Sequence, residues 1–538
     1  MVLRDPERAV RTDLERLAYE ALVYSDQIKA LRTVPLSVAK ETCIAESEFD
    51  AKTFVESKFR DLSDPVSDTL TTGGPPRLNE HRWAFDAGVR QKLASGATAS
   101  ISQQLGHTNS NSLFFVPNNQ GAARLALNLT QPLLRGAGAE YNRSLIVLAK
   151  LDTRVANDDF NRELQQHLLD ISEAYWALYA ERAGLVQRQW SLERVARLAK
   201  ELEARKIMDA TPSQVIHVRA AIARRKADLV RNHATIRNTE SLLYRLTNSP
   251  ALVEGAEVVP QELPVLVPPQ LDARLAVEQA LQHRPEVDAA FYEVRAAKVR
   301  LNVSEQDLFP YLNAVVETYV SGLEGQSDVG TAWREQFDEG APSYTAGLTF
   351  EMPLGNHGAR ARYAQRRLAL AQVTYALRST LTTVASEVDI AVREVQTLYE
   401  EVAAKMQSVV ATLVEVNHLE ARWRLLARDE GVASLALEDL LQAHERLLGE
   451  ELSLAQSMAA YSIAGLELRR ATGTLLDVDE SVVPGGWSNG PAMPEEIPVP
   501  ESARTTSSVA ATSAMRFGRG RRLTKSLSTS GSSFRARR

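Results

Sequence analysis

Two hydrophobic periodicities alternate along this chain, and the alternation occurs twice. From Trp83 the apolar residues recur at every second position. Phe85, Ala87 and Val89 alternate with Ala84, Asp86 and Gly88, and Ala97, Ala99 and Ile101 with Thr98, Ser100 and Ser102. Leu125, Leu127 and Leu129 alternate with Ala126, Asn128 and Thr130 in the same way. Period two predicts strands with one apolar face and one small or polar face. After Pro132 the period changes. No proline occurs until Pro212, and Leu145, Leu148, Leu151, Val155, Leu164, Leu168 and Ile171 recur in steps of three, four and seven. That spacing predicts a helix over about 139–205, roughly 100 Å long at about 1.5 Å per residue. The stretch "MDATPSQ" (Met208 to Gln214) breaks it. Pro212 suits an early turn of a returning helix over 213–247.

The same order returns downstream. "GLTFEMPLG" (Gly347 to Gly355) repeats the strand end "LNLTQPLLRG" (Leu127 to Gly136), so Pro132 and Pro353 mark two strand-to-helix steps. No proline lies between Pro353 and Pro484. A helix over 358–428 is expected to turn at "RDEGVAS" (Arg428 to Ser434) and return to about 472. Helices over 271–283 and 285–307 precede the strands "YLNAVVETYVSG" and "SYTAGLTFEMPL". Upstream, "ALVYSDQIKALRTVPLSVAKETCIAESEFD" from Ala21 corresponds to "ALQHRPEVDAAFYEVRAAKVRLNVSEQDLFP" from Ala280. Residues 6–60 read as helix, broken near Pro35. Tandem duplication on this scale is a whole-fold signature. The expected segments are 1–80 (N-terminal helical and equatorial), 81–135 (first strand pair), 136–250 (first helical hairpin), 251–307 (equatorial linker and helices), 308–354 (second strand pair) and 355–475 (second hairpin). The polar stretches Gly106 to Gly121 and Gly322 to Pro342 join the strands of each pair.

Composition narrows the class. A chain of 538 residues usually makes two or more domains, but the duplication argues for one elongated unit of two halves. Net charge is -6, so the bulk of the chain gives no reason to expect nucleic acid. The single cysteine, Cys43, excludes an internal disulfide and reads as a small residue packed on a helix. Nine histidines show no ligand spacing, and no metal or cofactor is expected. No apolar run reaches the roughly 18–20 residues of a membrane-spanning helix. The start "MVLRDPERAVRTDLERLAYE" lacks the apolar core of a signal peptide. Residues 484–538 are rich in Ser, Thr, Pro and Gly and carry no acidic residue after Glu501. They read as a disordered, basic, solvated tail, with contact to anionic lipid, lipopolysaccharide or nucleic acid as the alternative.

Two strand pairs are too few to close a barrel alone, and strands with one apolar face suit a water-filled membrane barrel built from several copies. The duplicated layout, the "QPLLRG" and "MPLG" steps, "HRPEVDAAFYEVRAAKVRL" (His283 to Leu301), "EFDAKTF" (Glu48 to Phe54) and "LFPYL" (Leu308 to Leu312) together resemble the TolC-like outer-membrane efflux family, over about residues 15–475. The resemblance implies a mainly α fold with a small β part. Four strands per chain would contribute to a trimeric twelve-stranded β-barrel in the outer membrane, and a long α-helical barrel would lie in the periplasm. It implies a passive export duct, without catalysis, that is a homotrimer in outer-membrane lipid. Its partners would be a periplasmic adaptor protein and an inner-membrane transporter.

It also implies a periplasmic tip formed by the two hairpin turns. "EGVASLALEDLLQAHERL" resembles the family's tip motif, with Gly431 matching the turn glycine and Ser434 within the turn. Asp209, Thr211 and Pro212 mark the other turn. The position matched by Asp439 lines the tunnel constriction in relatives, with Glu438 and Gln442 as neighbouring candidates. Three such carboxylates around a narrow pore would attract cations. Read without the family, Asp439 is a solvated carboxylate near a helix N-terminus. "GNHGARAR" (Gly355 to Arg362) lacks phosphate-loop spacing and reads as a strand-to-helix turn. Glu286 and Asp288 follow Pro285 at a helix start, where capping explains them. A soluble coiled-coil scaffold is the alternative reading, and an enzyme a distant third.

Overall fold

The computed structural model describes residues 9–205, 212–252, 256–426 and 430–477. The tail beyond 477 and the turn residues Asp209 and Thr211 lie outside them.

Each repeat opens with a short strand followed by two helices. The first begins with β1 (Ala9–Thr12), α1 (Leu14–Tyr24) and α2 (Asp26–Glu46). Four strands follow: β2 (Lys52–Pro65), β3 (Arg77–Lys92), β4 (Thr98–Ser110) and β5 (Asn119–Pro132). The short α3 (Ala139–Asn142) leads into α4 (Ser144–Arg205), and α5 (Pro212–Thr247) returns beside it. The second repeat runs through β6 (Glu257–Pro260), α6 (Ala273–His283), α7 (Pro285–Gln306), β7 (Tyr311–Gly325), α8 (Val329–Asp338) and β8 (Ser343–Glu351). It ends in α9 (His357–Leu426) and α10 (Glu430–Ala471). The long helices α4 and α9 have 62 and 70 residues. At about 1.5 Å per residue each exceeds roughly 90 Å.

The duplication is visible in the packing. Ala21 and Ile28 are buried against α4 and α5, beside Ile171, Tyr175, Ile236 and Leu243. Their counterparts Ala280 and Val287 are buried against Val384, Val388 and Val392 of α9. The two halves are stitched by the parallel pair β1–β6. They are joined again where helix meets strand, since Asp307 accepts from both Arg135 (3.2 Å) and Tyr141 (3.0 Å).

Six strands, not the expected four, form one antiparallel sheet in the order β2-β3-β4-β5-β7-β8. The missed strand is β2. Its residues Lys52 to Pro65 carry charges on both faces, Glu56, Lys58 and Arg60 on one and Asp61 on the other, so period two is weak and the helical reading runs through them to residue 60. Period-two segments from Trp83 are not one strand of a pair but the hairpin β3–β4. The expected break at Pro35 is absent too. Pro35 lies inside α2, and packing of that helix along α4 offsets the lost backbone bond. Cys43 is exposed on α2 rather than packed. The segment Gly322 to Pro342 is not a plain loop, because β7 runs to Gly325 and α8 follows.

Candidate channel surfaces

All long helices leave one end of the sheet. The other end carries the connections 66–76, 111–118 and the α8 segment. Strand register fixes two unlike faces. One face has Val55 and Phe59 on β2, Val89 on β3, Ile101 on β4, Leu127 on β5, Val316 on β7, and Leu348 and Phe350 on β8. Every one of these is substantially exposed, Val55 and Phe59 to 70% and Leu348 to 71%. A contiguous apolar face of this extent needs an apolar partner phase.

The opposite face is charged and hollowed, lined by Glu56, Lys58, Arg82, Asp86, Gln104 and Arg124. Gln104 Nε2 reaches Asp86 Oδ2 at 3.5 Å, and the Arg124 guanidinium lies 4.2 Å from the centre of the Tyr319 ring. Both edge strands are open: β2 and β8 each have one neighbour only. Unpaired edges of long strands demand further strands. Pro132 ends β5, and Pro353 sits between β8 and α9, as the two strand-to-helix steps require. Beyond Pro353, Gly355 takes φ +88, which favours glycine, at the tight turn into α9.

At the far end of the helices, α4, α5, α9 and α10 pack through Val195, Leu198, Val218, Trp423, Leu437 and Leu440. Gly431 and Ser434 lie in the first turns of α10. Glu438, Asp439 and Gln442 are all exposed on α10. Glu438 and Gln442 line a groove against α5, together with His217, Arg224 and Glu445. Asp439 points to a different flank of the helix and does not line that groove. Pro212 is the first residue of α5.

A buried polar seam next to this end was not read from the sequence. His444 is 2% exposed, with Nε2 3.3 Å from Glu420 Oε1. Arg225 donates to Ser191 Oγ at 3.0 Å, and Arg194 to Glu451 at 3.3 Å. The available signal was polar residues at seam positions of otherwise apolar periodicity. Burial pushes the His444 ring below its ordinary 6.5, against the opposing pull of Glu420 and with Arg194 and Arg225 adding to the effect. The unfolded chain therefore takes up the proton first, and stability at this seam falls as pH drops below about 6.5. Hydrogen exchange of α10, corrected for intrinsic rates, is expected to accelerate below that pH in the native protein and not in His444→Leu. Equal acceleration in both would assign the effect to other groups. Among the described residues, no group of three or more His, Cys, Asp and Glu is placed to hold a metal ion. No described helix is long and apolar enough to cross a membrane.

Comparison with known proteins agrees with this geometry. Residues 276–474, almost the whole second repeat, match the family model "outer membrane efflux protein". A stretch of 222 residues is 26% identical to the probable outer membrane lipoprotein SilC of Salmonella typhimurium, covering 41% of this chain and 42% of that protein. Three solved structures share the fold along nearly their full length. A membrane protein from Pseudomonas aeruginosa has TM-score 0.64 at 15% identity, covering 91% of this chain and 94% of its own. CusC has TM-score 0.62 at 13% identity, with 88% and 95% covered. The outer membrane protein VceC of Vibrio cholerae has TM-score 0.62 at 17% identity, with 86% and 96% covered. The resemblance to the TolC-like efflux family, the mainly helical fold and its small β part are thus borne out.

Proposed function

We propose that this chain, a relative of the outer membrane efflux proteins, is one subunit of a passive export channel whose sheet lies in the outer membrane. The observation that carries this is the two-faced sheet. Its exposed apolar side fits lipid, its charged hollow side fits water, and both edges are open. A soluble scaffold would leave Val55, Phe59, Leu348 and Phe350 in water. Three copies close the wall by joining β8 of one to β2 of the next. The twelve strands expected from four per chain then become eighteen, with a circumference about 1.5 times that of twelve. The connections 66–76, 111–118 and 326–342 face the cell exterior, and α4, α5, α9 and α10 reach into the periplasm. At their far end an adaptor protein docks, and an inner-membrane transporter delivers the cargo. The duct itself catalyses nothing.

Detergent-extracted protein is expected to run as a folded trimer and to conduct ions in planar bilayers. A water-soluble monomer with intact strands would overturn the reading. In the same bilayers, Asp439→Ala is expected to weaken block by divalent cations while the trimer persists. Unchanged block moves the constriction to the flank of Glu438 and Gln442.

A further inference from the structure

We infer that α8 is an interfacial helix. It lies on the lipid-facing side of the sheet, and its Trp333 and Phe337 anchor the assembly at the headgroup boundary of the outer leaflet. The inference rests on the channel reading above.

The face on which α8 docks is fixed by close contacts. Ala332 and Gln336 are fully buried beneath it. A Cβ on Gly322 would meet the Ala332 carbonyl oxygen at 2.1 Å, and one on Gly121 would meet the Asp328 carbonyl carbon at 2.7 Å. The side-chain amides of Gln336 and Gln103 are paired at 3.2 Å. Gly322, Gly121 and Gln103 all belong to the face that carries Ile101 and Leu127. The helix therefore covers the apolar side, not the charged hollow.

Its height follows from the register. One row across the sheet reads Phe59, Trp83, His107, Gly121, Glu324, and the row below it reads Ser57, Phe85, Leu105, Ala123, Gly322. Beyond these rows the face turns polar, with His81 bonded to Asp61 at 3.0 Å. These rows are the loop-side margin of the apolar belt. On β2 and β3 that margin carries aromatic residues, with Trp83 and Phe85 stacked at 6.0 Å. On β5 and β7 it carries only small residues and a carboxylate. Membrane barrels place aromatic girdles at this height.

Helix α8 supplies what β5 and β7 lack. Trp333 and Phe337 are four residues apart on one flank, edge to face at 5.5 Å, and remain 46% and 53% exposed. Glu335 lies on the opposite flank, with its carboxyl group beside that of Glu324 at the loop end of β7. The aromatic flank accordingly turns away from the loop end, towards the belt. Arg334 and Asp338 project away from the sheet, as a helix lying in an interface requires.

The test uses the assembled protein in vesicles with Cys43→Ser as background. A fluorophore is attached at Phe337→Cys or at Leu127→Cys, and phospholipids brominated near the headgroup or deep in the chain act as quenchers. The label at 337 is expected to be quenched more by the shallow bromine, and the label at 127 more by the deep one. Quenching at 127 with none at 337 would overturn the interfacial helix alone. No quenching at either site would overturn the channel reading with it. The native side chain gives a second measurement. Quenching of tryptophan emission by shallow bromine should fall in Trp333→Phe, with Trp83 at the same height supplying the remainder, and quenching undiminished by that substitution would also overturn the inference.

Discussion

Leu127→Arg is expected to abolish assembly in the membrane, whereas Asn128→Arg, one residue further on, leaves it intact. Leu127 is 46% exposed in the centre of the apolar face, between Ile101 and Thr318. An arginine facing lipid near the bilayer midplane costs about 2–4 kcal/mol. In a closed trimer the penalty is met three times around one wall. Asn128 stands on the charged face between Ser100 and Glu317. An arginine there finds water and a carboxylate. The check is the amount of heat-modifiable trimer in outer-membrane fractions of the two variants. Equal yields would mean that Leu127 does not face lipid.

Arg284→Ala is expected to destabilise the equatorial region more than any charge substitution on the helix surfaces. Arg284 sits between α6 and α7, and only 5% of its side chain is exposed. Its guanidinium bonds Glu286 at 3.0 and 3.2 Å and also Glu387 of α9. Truncation leaves Glu286, itself 22% exposed, without its cation. Breaking a fully buried pair costs about 3–5 kcal/mol, and the 44% exposure of Glu387 lowers the expectation to roughly 2–3 kcal/mol. Glu387→Gln keeps an acceptor for Arg284 and should cost less. Thermal unfolding of the detergent-solubilised protein, followed by circular dichroism, is expected to rank the two in that order. Midpoints of both variants equal to that of the native protein would show that the ion triad adds nothing to stability.

These residues also show where sequence reading reached and where it stopped. The four long helices were legible because their seams run through dozens of residues, and the predicted 139–205 and 358–428 match α4 and α9 closely. The strand-to-helix steps at Pro132 and Pro353 were legible because proline cannot continue either element. Strand β2 was not, since its apolar face mixes Val55 and Phe59 with Thr53, Ser57 and Asp61. Glu286 read as a cap, and its ion pair with Arg284 was local enough to see. The third member, Glu387, lies a hundred residues away and only the fold brings it near. Helix α8 was hidden because ten residues between strands carry too few turns to show a period. At the tip, Asp439, Glu438 and Gln442 were identified as a group, but they divide between two flanks of α10. Sequence adjacency on a helix places neighbours about 100° apart.

The hairpin β3–β4 has a consequence for how this wall admits change. It lies in the ladder between β2 and β5, so the first repeat contributes four strands and the second two. Adjacent strands run in opposite directions, and every strand added to the meander reverses the heading of whatever follows it. A single extra strand would have delivered the chain to the wrong end of the sheet, and α4 would have started at the end that carries α8. Two extra strands restore the heading, so Pro132 still hands the chain to the same side as Pro353 does. Width in such a wall is therefore quantised in even steps, and the helical part below need not register that a step has been taken.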